Sequence, residues 1–195
     1  DLHSFPTRRS SDLDLTISGV ISGDTCTLVT SGASASFANK TVGNGKTVTL
    51  TGYSLTGTHK DNYNLPAHAN LSANITAKAL SWGTKPTVSD KIYDRTTSAS
   101  ISNHGSISGV ISGDTVTLNS SSASATFADK TAANNKAITF TGYTLSGTDA
   151  GNYTLAQPTG VTANITAKSI SGTVSISGTV TYGQTLTASA ITGVA

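Results

Sequence analysis

Residues 17–80 return at 107–170 with a constant offset of 90 and no gap, and 37 of the 64 paired positions are identical. Ile17-Ser18-Gly19-Val20-Ile21-Ser22-Gly23-Asp24-Thr25 reappears letter for letter as Ile107 to Thr115. Ala73-Asn74-Ile75-Thr76-Ala77-Lys78 reappears as Ala163 to Lys168. A fixed period is one unit used again, and such chains draw their use from repetition more than from one solitary pocket. The repeat divides the chain into a leader at 1–13, a first module at 14–79, a second and complete module at 80–169, and the start of a third at 170–195. The first lacks the equivalent of residues 80–104, about two strands, so an open edge and lower stability are expected there.

The units should be all-β. There is no Glu and no Met, and Ser and Thr supply about a third of the residues. Thr, Val, Ile and Tyr favour strands, Gly, Asn, Asp and Ser favour turns, and good helix formers are scarce. In the second module β-rich runs fall at Thr87–Tyr93, Thr97–Ile101, Ser106–Ile111, Val116–Asn119, Ala123–Phe127, Ala137–Leu145, Tyr153–Leu155 and Val161–Ala167. Turn signals separate them, at Asn103-His104-Gly105, Ser112-Gly113-Asp114, Asp129-Lys130-Thr131 and Ala133-Asn134-Asn135. Short strands at this spacing predict tandem immunoglobulin-like β-sandwich modules in an elongated array. A β-solenoid would repeat at roughly 20–30 residues instead.

Alternation places Ile138 and Phe140 on the core face and Thr139 and Thr141 on the other, with Val48 and Leu50 keeping the scheme in the first module. Asp149-Ala150-Gly151-Asn152-Tyr153 resembles the tyrosine corner of immunoglobulin-like domains, where the hydroxyl returns to upstream backbone. The first module reads His59-Lys60-Asp61-Asn62-Tyr63 at this place. The joints Ala77-Lys78-Ala79-Leu80 and Ala167-Lys168-Ser169-Ile170 carry no Pro/Gly-rich spacer, which predicts a semi-rigid rod.

The leader stands apart. Ser4-Phe5-Pro6-Thr7-Arg8-Arg9-Ser10-Ser11-Asp12-Leu13 is what one reading frame of a common sequencing-adapter oligonucleotide encodes, so residues 1–13 are expected to be a disordered artefact. The absence of Met predicts a piece of a longer protein.

Charge and composition exclude several classes. The net charge is +2 with 11% charged residues spread evenly, so there is no basic stripe for nucleic acid. No apolar run nears the roughly 18 residues of a membrane span, and no membrane insertion is expected. Cys26 aligns with Val116 and is expected to be a buried, inert thiol.

The chemistry of sites is thin. His3, His59, His68 and His104 lack ligand spacing, and His59 and His68 align with Asp149 and Pro158, so their roles should not be shared by the copies. Asp24 and Asp114 are expected to cap turn amides. Asp90 and Asp94, four apart, are the weak pair for calcium. No nucleophile elbow or phosphate loop occurs. Trp82 should pack between modules, with a sugar-stacking platform as the alternative. Sequons at Asn39, Asn70, Asn74, Asn152 and Asn164 are expected by chance, and a Lys–Asn isopeptide crosslink is a minor alternative. No catalytic, cofactor-binding or metal residues are therefore assigned, no cofactor is expected, and the chain is read as not an enzyme.

Lys91-Ile92-Tyr93-Asp94-Arg95-Thr96-Thr97, Gly109-Val110-Ile111-Ser112-Gly113-Asp114-Thr115-Val116 and Gly151-Asn152-Tyr153-Thr154-Leu155 together resemble the YDG-type repeat of bacterial filamentous-haemagglutinin-like adhesins. Those repeats typically open Tyr-Asp-Gly-Thr, and here Arg95 stands for the Gly. Thr179-Val180-Thr181-Tyr182-Gly183-Gln184-Thr185-Leu186 resembles the related Tyr-Gly-x (MBG-like) repeat. The resemblance covers essentially everything after residue 14. It implies stalk or spacer repeats of a large secreted Gram-negative surface protein, with neighbouring modules of the same chain as partners and no catalytic residues. Some adhesins of this class are glycosylated on Asn before export. The alternative functions are a carbohydrate-binding module contacting host or biofilm glycans or proteins, and accessory domains of a secreted polysaccharide-degrading enzyme.

Overall fold

The structure, a computed structural model, describes residues 16–65, 71–172 and 181–183. They form an all-β chain of several sheets. No α-helix occurs among the described residues, and the helical turns are single 3-10 turns at Lys60–Asn62 and Ala150–Asn152. The leader 1–13, His3, His68, Asn70 and most of the third module lie outside the described residues.

The strand Ala133–Thr141 anchors the second repeat. Lys136, Ile138 and Phe140 are buried while Thr139 and Thr141 are exposed, as a period of two requires. Antiparallel pairing with Ser124–Phe127 sets Ala125 opposite Phe140 and Phe127 opposite Ile138. Thr162–Thr166 pairs along its other edge. Lys91–Ile92 adds in parallel beyond that strand, and Ser98–Ala99 adds beyond Ser124–Phe127, giving a five-stranded sheet. Ala125, Phe127, Ile138, Phe140, Tyr143, Ala163 and Ile165 make the core. Trp82, Val88, Tyr93, Ala99 and Ile101 pack over it.

A second sheet has Lys78–Thr84 in its centre, antiparallel to Ser106–Ser108 and parallel to Tyr153–Leu155. Two-stranded ribbons join Thr117–Asn119 to Thr144–Ser146 and Thr87–Val88 to Ile101–Asn103. The first repeat follows the same plan with less of it. Ser34–Phe37, Gly43–Thr51 and Ser72–Ile75 form a three-stranded sheet, and Thr27–Val29 pairs with Ser54–Thr56. Its buried apolar residues are Cys26, Ala33, Ala35 and Leu50, so the thiol is buried as expected.

Several expectations are corrected. The run Thr87–Tyr93 is two strands, interrupted at Ser89-Asp90. There Asp90 turns to accept the backbone N–H (2.7 Å) and side-chain amide (2.8 Å) of Asn164. Ala133-Asn134-Asn135 is not a turn but the opening of the long strand, carrying a bulge before Lys136. Asn135 takes the left-handed conformation there, φ 53°, and Gly45 takes φ 60° at the same place in the first repeat, since Gly and Asn reach that region most readily. The joint Ala77-Lys78-Ala79-Leu80 is more than a link between modules: from Lys78 onward it is the central strand of a sheet in the second repeat. Trp82, on that strand, packs within the second repeat rather than between repeats. Its ring meets Tyr143 edge-on at 5.1 Å and its Nε1 donates to the Ala156 carbonyl at 3.0 Å.

Arg95 explains the Gly of the Tyr-Asp-Gly-Thr opening. It lies at φ 71°, a conformation that costs roughly 1–2 kcal/mol for a side chain with a Cβ. The turn is imposed by Asp94, whose Oδ1 accepts from the Thr96 N–H at 2.9 Å and from Lys91 Nζ at 2.8 Å.

Candidate functional site at the joint between repeats

One polar unit occurs in both repeats. The Tyr63 hydroxyl donates to Asp24 Oδ2 at 2.7 Å and accepts from the Ile21 N–H at 3.0 Å. Ninety residues on, Tyr153 donates to Asp114 at 2.6 Å and accepts from the Ile111 N–H at 3.2 Å. The tyrosine does return to backbone, but to a Ser-Gly-Asp-Thr turn some forty residues upstream. Asp24 and Asp114 thus receive a tyrosine hydroxyl, where capping of turn amides was expected. The hydrogen bond to Asp24 raises the Tyr63 pKa above its usual value; for Tyr153 desolvation is the larger cause and the Asp114 bond the next.

The position occupied by His59 and Asp149 has a shared role after all. His59 Nδ1 accepts from the Thr25 N–H at 2.9 Å, as Asp149 Oδ2 does from the Thr115 N–H at 2.9 Å. A neutral imidazole nitrogen and a carboxylate oxygen are both acceptors, so the sequence change hides a conserved bond. Thr58 Oγ1 (3.3 Å), the Thr25 amide and Asp24 (3.7 Å) all face this one nitrogen of His59. A catalytic relay needs nucleophile and carboxylate on opposite ring nitrogens, which this cluster does not provide.

In the second repeat this unit receives the first. Lys40 Nζ lies between Asp114 and Asp149, hydrogen-bonded to Asp114 Oδ1 and 3.1 Å from Asp149 Oδ1. Beside it the Val42 N–H donates to Asn152 Oδ1 at 2.9 Å. Lys40 bonded to the two carboxylates raises its own pKa. The same ammonium is the largest cause lowering Asp114, while for Asp149 the Thr115 amide comes first and Lys40 second. The cap is visible in exposure: the Asp114 and Asp149 side chains are 6% and 19% exposed, against 26% and 41% for Asp24 and His59. The arrangement clamps one repeat to the next through a charge and a backbone amide.

The remaining candidates are absorbed by the fold. His104 Nδ1 and the Tyr143 hydroxyl are 3.0 Å apart. Asp90 and Asp94 serve Asn164 and Lys91 and do not converge, and among the described residues no group of three or more His, Cys, Asp or Glu is placed to hold a metal. Of the sequon residues, Asn74 Oδ1 and Asn164 Oδ1 accept from the bulge amides of Gly45 and Asn135, both at 2.8 Å. Asn39 Oδ1 accepts from the Thr41 N–H at 3.2 Å, and Asn152 holds the joint. Asn74 and Asn164 are counterparts in the two repeats and make the same bond, whereas Asn39 is replaced by Asp129. For a Lys–Asn crosslink, Lys46 Nζ does sit against Asn39 Oδ1, but its counterpart is the Lys136–Asp129 ion pair at 2.6 Å. Lys136 holds that carboxylate well below its usual range, hence ionised.

The joint residues were missed in sequence. The available signal was that Lys40, Asp24 and Asn62 each recur, as Lys130, Asp114 and Asn152, in loops where sequence is otherwise free to drift.

Compared with known proteins, the profile of the YDG domain matches residues 7–71 and again 76–160, well over half of the chain. The first match begins inside the leader. No curated protein and no solved structure matches the chain.

Proposed function

The chain belongs to the YDG domain family, and we propose from that premise that it forms stalk or spacer repeats of a large secreted bacterial surface adhesin. In this reading the two repeats are tandem immunoglobulin-like sandwiches in an elongated array, the partial C-terminal unit is of the MBG-like type, and the partners are neighbouring modules. The observation that carries the reading is the Lys40 joint. It locks successive units through Lys40, Asp114 and Asn152, which recur as Lys130, Asp24 and Asn62, with Asp149 alone replaced, by His59; such a joint suits a fixed spacer better than independent binding heads. The inward-facing Trp82–Tyr143 pair leaves a sugar-stacking surface without its best aromatic.

Small-angle scattering of the full chain tests the shape: a rod about two modules long is expected, and a compact particle would defeat the array. The flanking sequence tests the setting. A haemagglutination-type secretion domain upstream is expected; a glycosidase or lyase domain beside these repeats would overturn the adhesin role.

A further inference from the structure

A cavity of about 190 Å³ opens in the first repeat between Thr16, Ile17 and Ser18 on one side and Tyr63, Asn64 and Leu65 on the other. It is several times the volume of a water molecule, about 30 Å³. Neither flank lies in a strand ladder. In the second repeat the equivalent flanks, Ser106–Ser108 and Tyr153–Leu155, are separated by a strand, Lys78–Thr84. Ile107 pairs with Trp82 and Ser108 with Ser81 on one edge; Thr154 pairs with Ala79 and Leu155 with Leu80 on the other. Leu80 is 7% exposed, and its Cδ2 lies 3.7 Å from where a Cβ on Gly109 would be. At Gly19, the counterpart of Gly109, nothing lies within 4 Å of that point.

The strand that fills the second repeat begins with the tail of the first. Ala77-Lys78-Ala79-Leu80-Ser81 is matched by Ala167-Lys168-Ser169-Ile170-Ser171 at the tail of the second. Ile170, the counterpart of buried Leu80, is 83% exposed. Lys130, the counterpart of Lys40, is also exposed and has no partner among the described residues. Among the described residues, the second repeat therefore carries a tail that pairs with no strand and a cation without a partner. The first repeat carries the slot, the half-buried acceptors Asp24 and His59, and the exposed Asn62.

We propose that each repeat donates its tail strand to the next, and that the slot of the first repeat takes Lys168–Ser171 from a second copy of this chain. Ile170 fills the place that Leu80 fills in the second repeat, and Lys130 reaches Asp24 as Lys40 reaches Asp114. The strand enters parallel to Tyr63–Leu65 and satisfies backbone groups on both flanks, which is strand addition at an open edge. Because the two surfaces differ, the contact is head-to-tail and builds open filaments, or rings where the rotation closes, rather than two-fold dimers. The inference rests on the array reading above and adds how its links are made.

Two measurements test it. A synthetic peptide of sequence 77–85, added to the full chain, is expected to bind one to one and to protect the amides of Ile17, Ser18, Asn64 and Leu65 from hydrogen exchange. The same peptide with Asp in place of its Leu is expected not to bind. Equal behaviour of the two peptides, or protection elsewhere, overturns the proposal. In sedimentation velocity the chain is expected to gain mass with concentration, and Ile170→Asp, at an exposed position, to abolish the gain. Assembly of Ile170→Asp like the parent, or a parent that stays monomeric at every concentration, also overturns it. Scattering of the Ile170→Asp monomer separates the two readings. An elongated monomer that ignores the peptide defeats strand donation alone; a compact one defeats the array.

Discussion

The two repeats share their strand registers and most core residues, yet they bury them differently. Ile165 is 1% exposed and Phe127 3%, while Ile75 and Phe37, the same residues in the same places, are only half-buried. Tyr143 and Tyr153 are buried; Tyr53 and Tyr63 are half-buried. What differs is the cover. Trp82, Val88, Tyr93, Ala99 and Ile101 lie over the second core, and positions 3, 9 and 11, ninety residues before the last three, fall outside the described residues. An inward-facing side chain is thus not yet a buried one, because apolar stabilisation follows the area removed from water and that area is set by whatever closes the face.

The sharpest way to break this comparison is to truncate the same residue in both. Ile165→Ala should cost the second repeat about 3 kcal/mol, as a fully packed isoleucine does. Ile75→Ala should cost the first less than about half as much, since part of that side chain already meets solvent. Urea unfolding followed by residue-resolved hydrogen exchange reads the two separately, and equal losses would refute the difference in cover. Phe140→Leu, which installs the residue found at Leu50, should destabilise the second repeat by about 1 kcal/mol and narrow the gap.

Arg95→Gly works the other way. Removing the Cβ at φ 71° should stabilise the second repeat by about 0.5–1 kcal/mol after the entropy cost of glycine, read as a rise in its melting temperature. A loss of stability would mean that the turn is not strained.

Acid should bring the repeats closer. Lys91, with the Thr96 amide and hydroxyl, holds the Asp94 carboxyl at about 2, below the ordinary value of about 3.9. A depressed carboxylate contributes stability that is full above about pH 4 and lost as pH falls through about 2. Asp129, lowered by Lys136, adds in the same direction, whereas its counterpart Asn39 does not titrate. Thermal scans between pH 5 and pH 2 should therefore lower the second transition more than the first.

The smallest expected effect separates the two lysines. Lys40→Met leaves Asp114 and Asp149 facing each other without a cation, so their titrations, followed by carboxyl-carbon NMR, should move toward higher pH. Lys130→Met should leave those titrations unchanged.

Much of the fold was legible because it is local. The alternation through Ile138 and Phe140, the strand class and the turns at Asn103–Gly105, Ser112–Asp114 and Asp129–Thr131 depend on residues within a few positions of each other, and they held. The errors came where a distant partner decides. Ser89-Asp90 breaks a strand because Asp90 is engaged by Asn164, and Ala133–Asn135 extends one because Asn164 accepts its bulge amide. The joint was missed for the same reason: recurrence marks Lys40, but the carboxylates it meets lie 74 and 109 positions away.

By itself the sequence determined a ninety-residue period, an all-β unit and the set of side chains that face inward, because composition and a period of two act along the chain. Only the tertiary structure decided that the unit of sequence and the unit of folding are out of step. Lys78–Leu80 ends one repeat in sequence and opens the central strand of the next in space. The physical reason is that a strand belongs to whichever edges satisfy its backbone hydrogen bonds, and those edges come from residues 106–108 and 153–155, well after it in the chain.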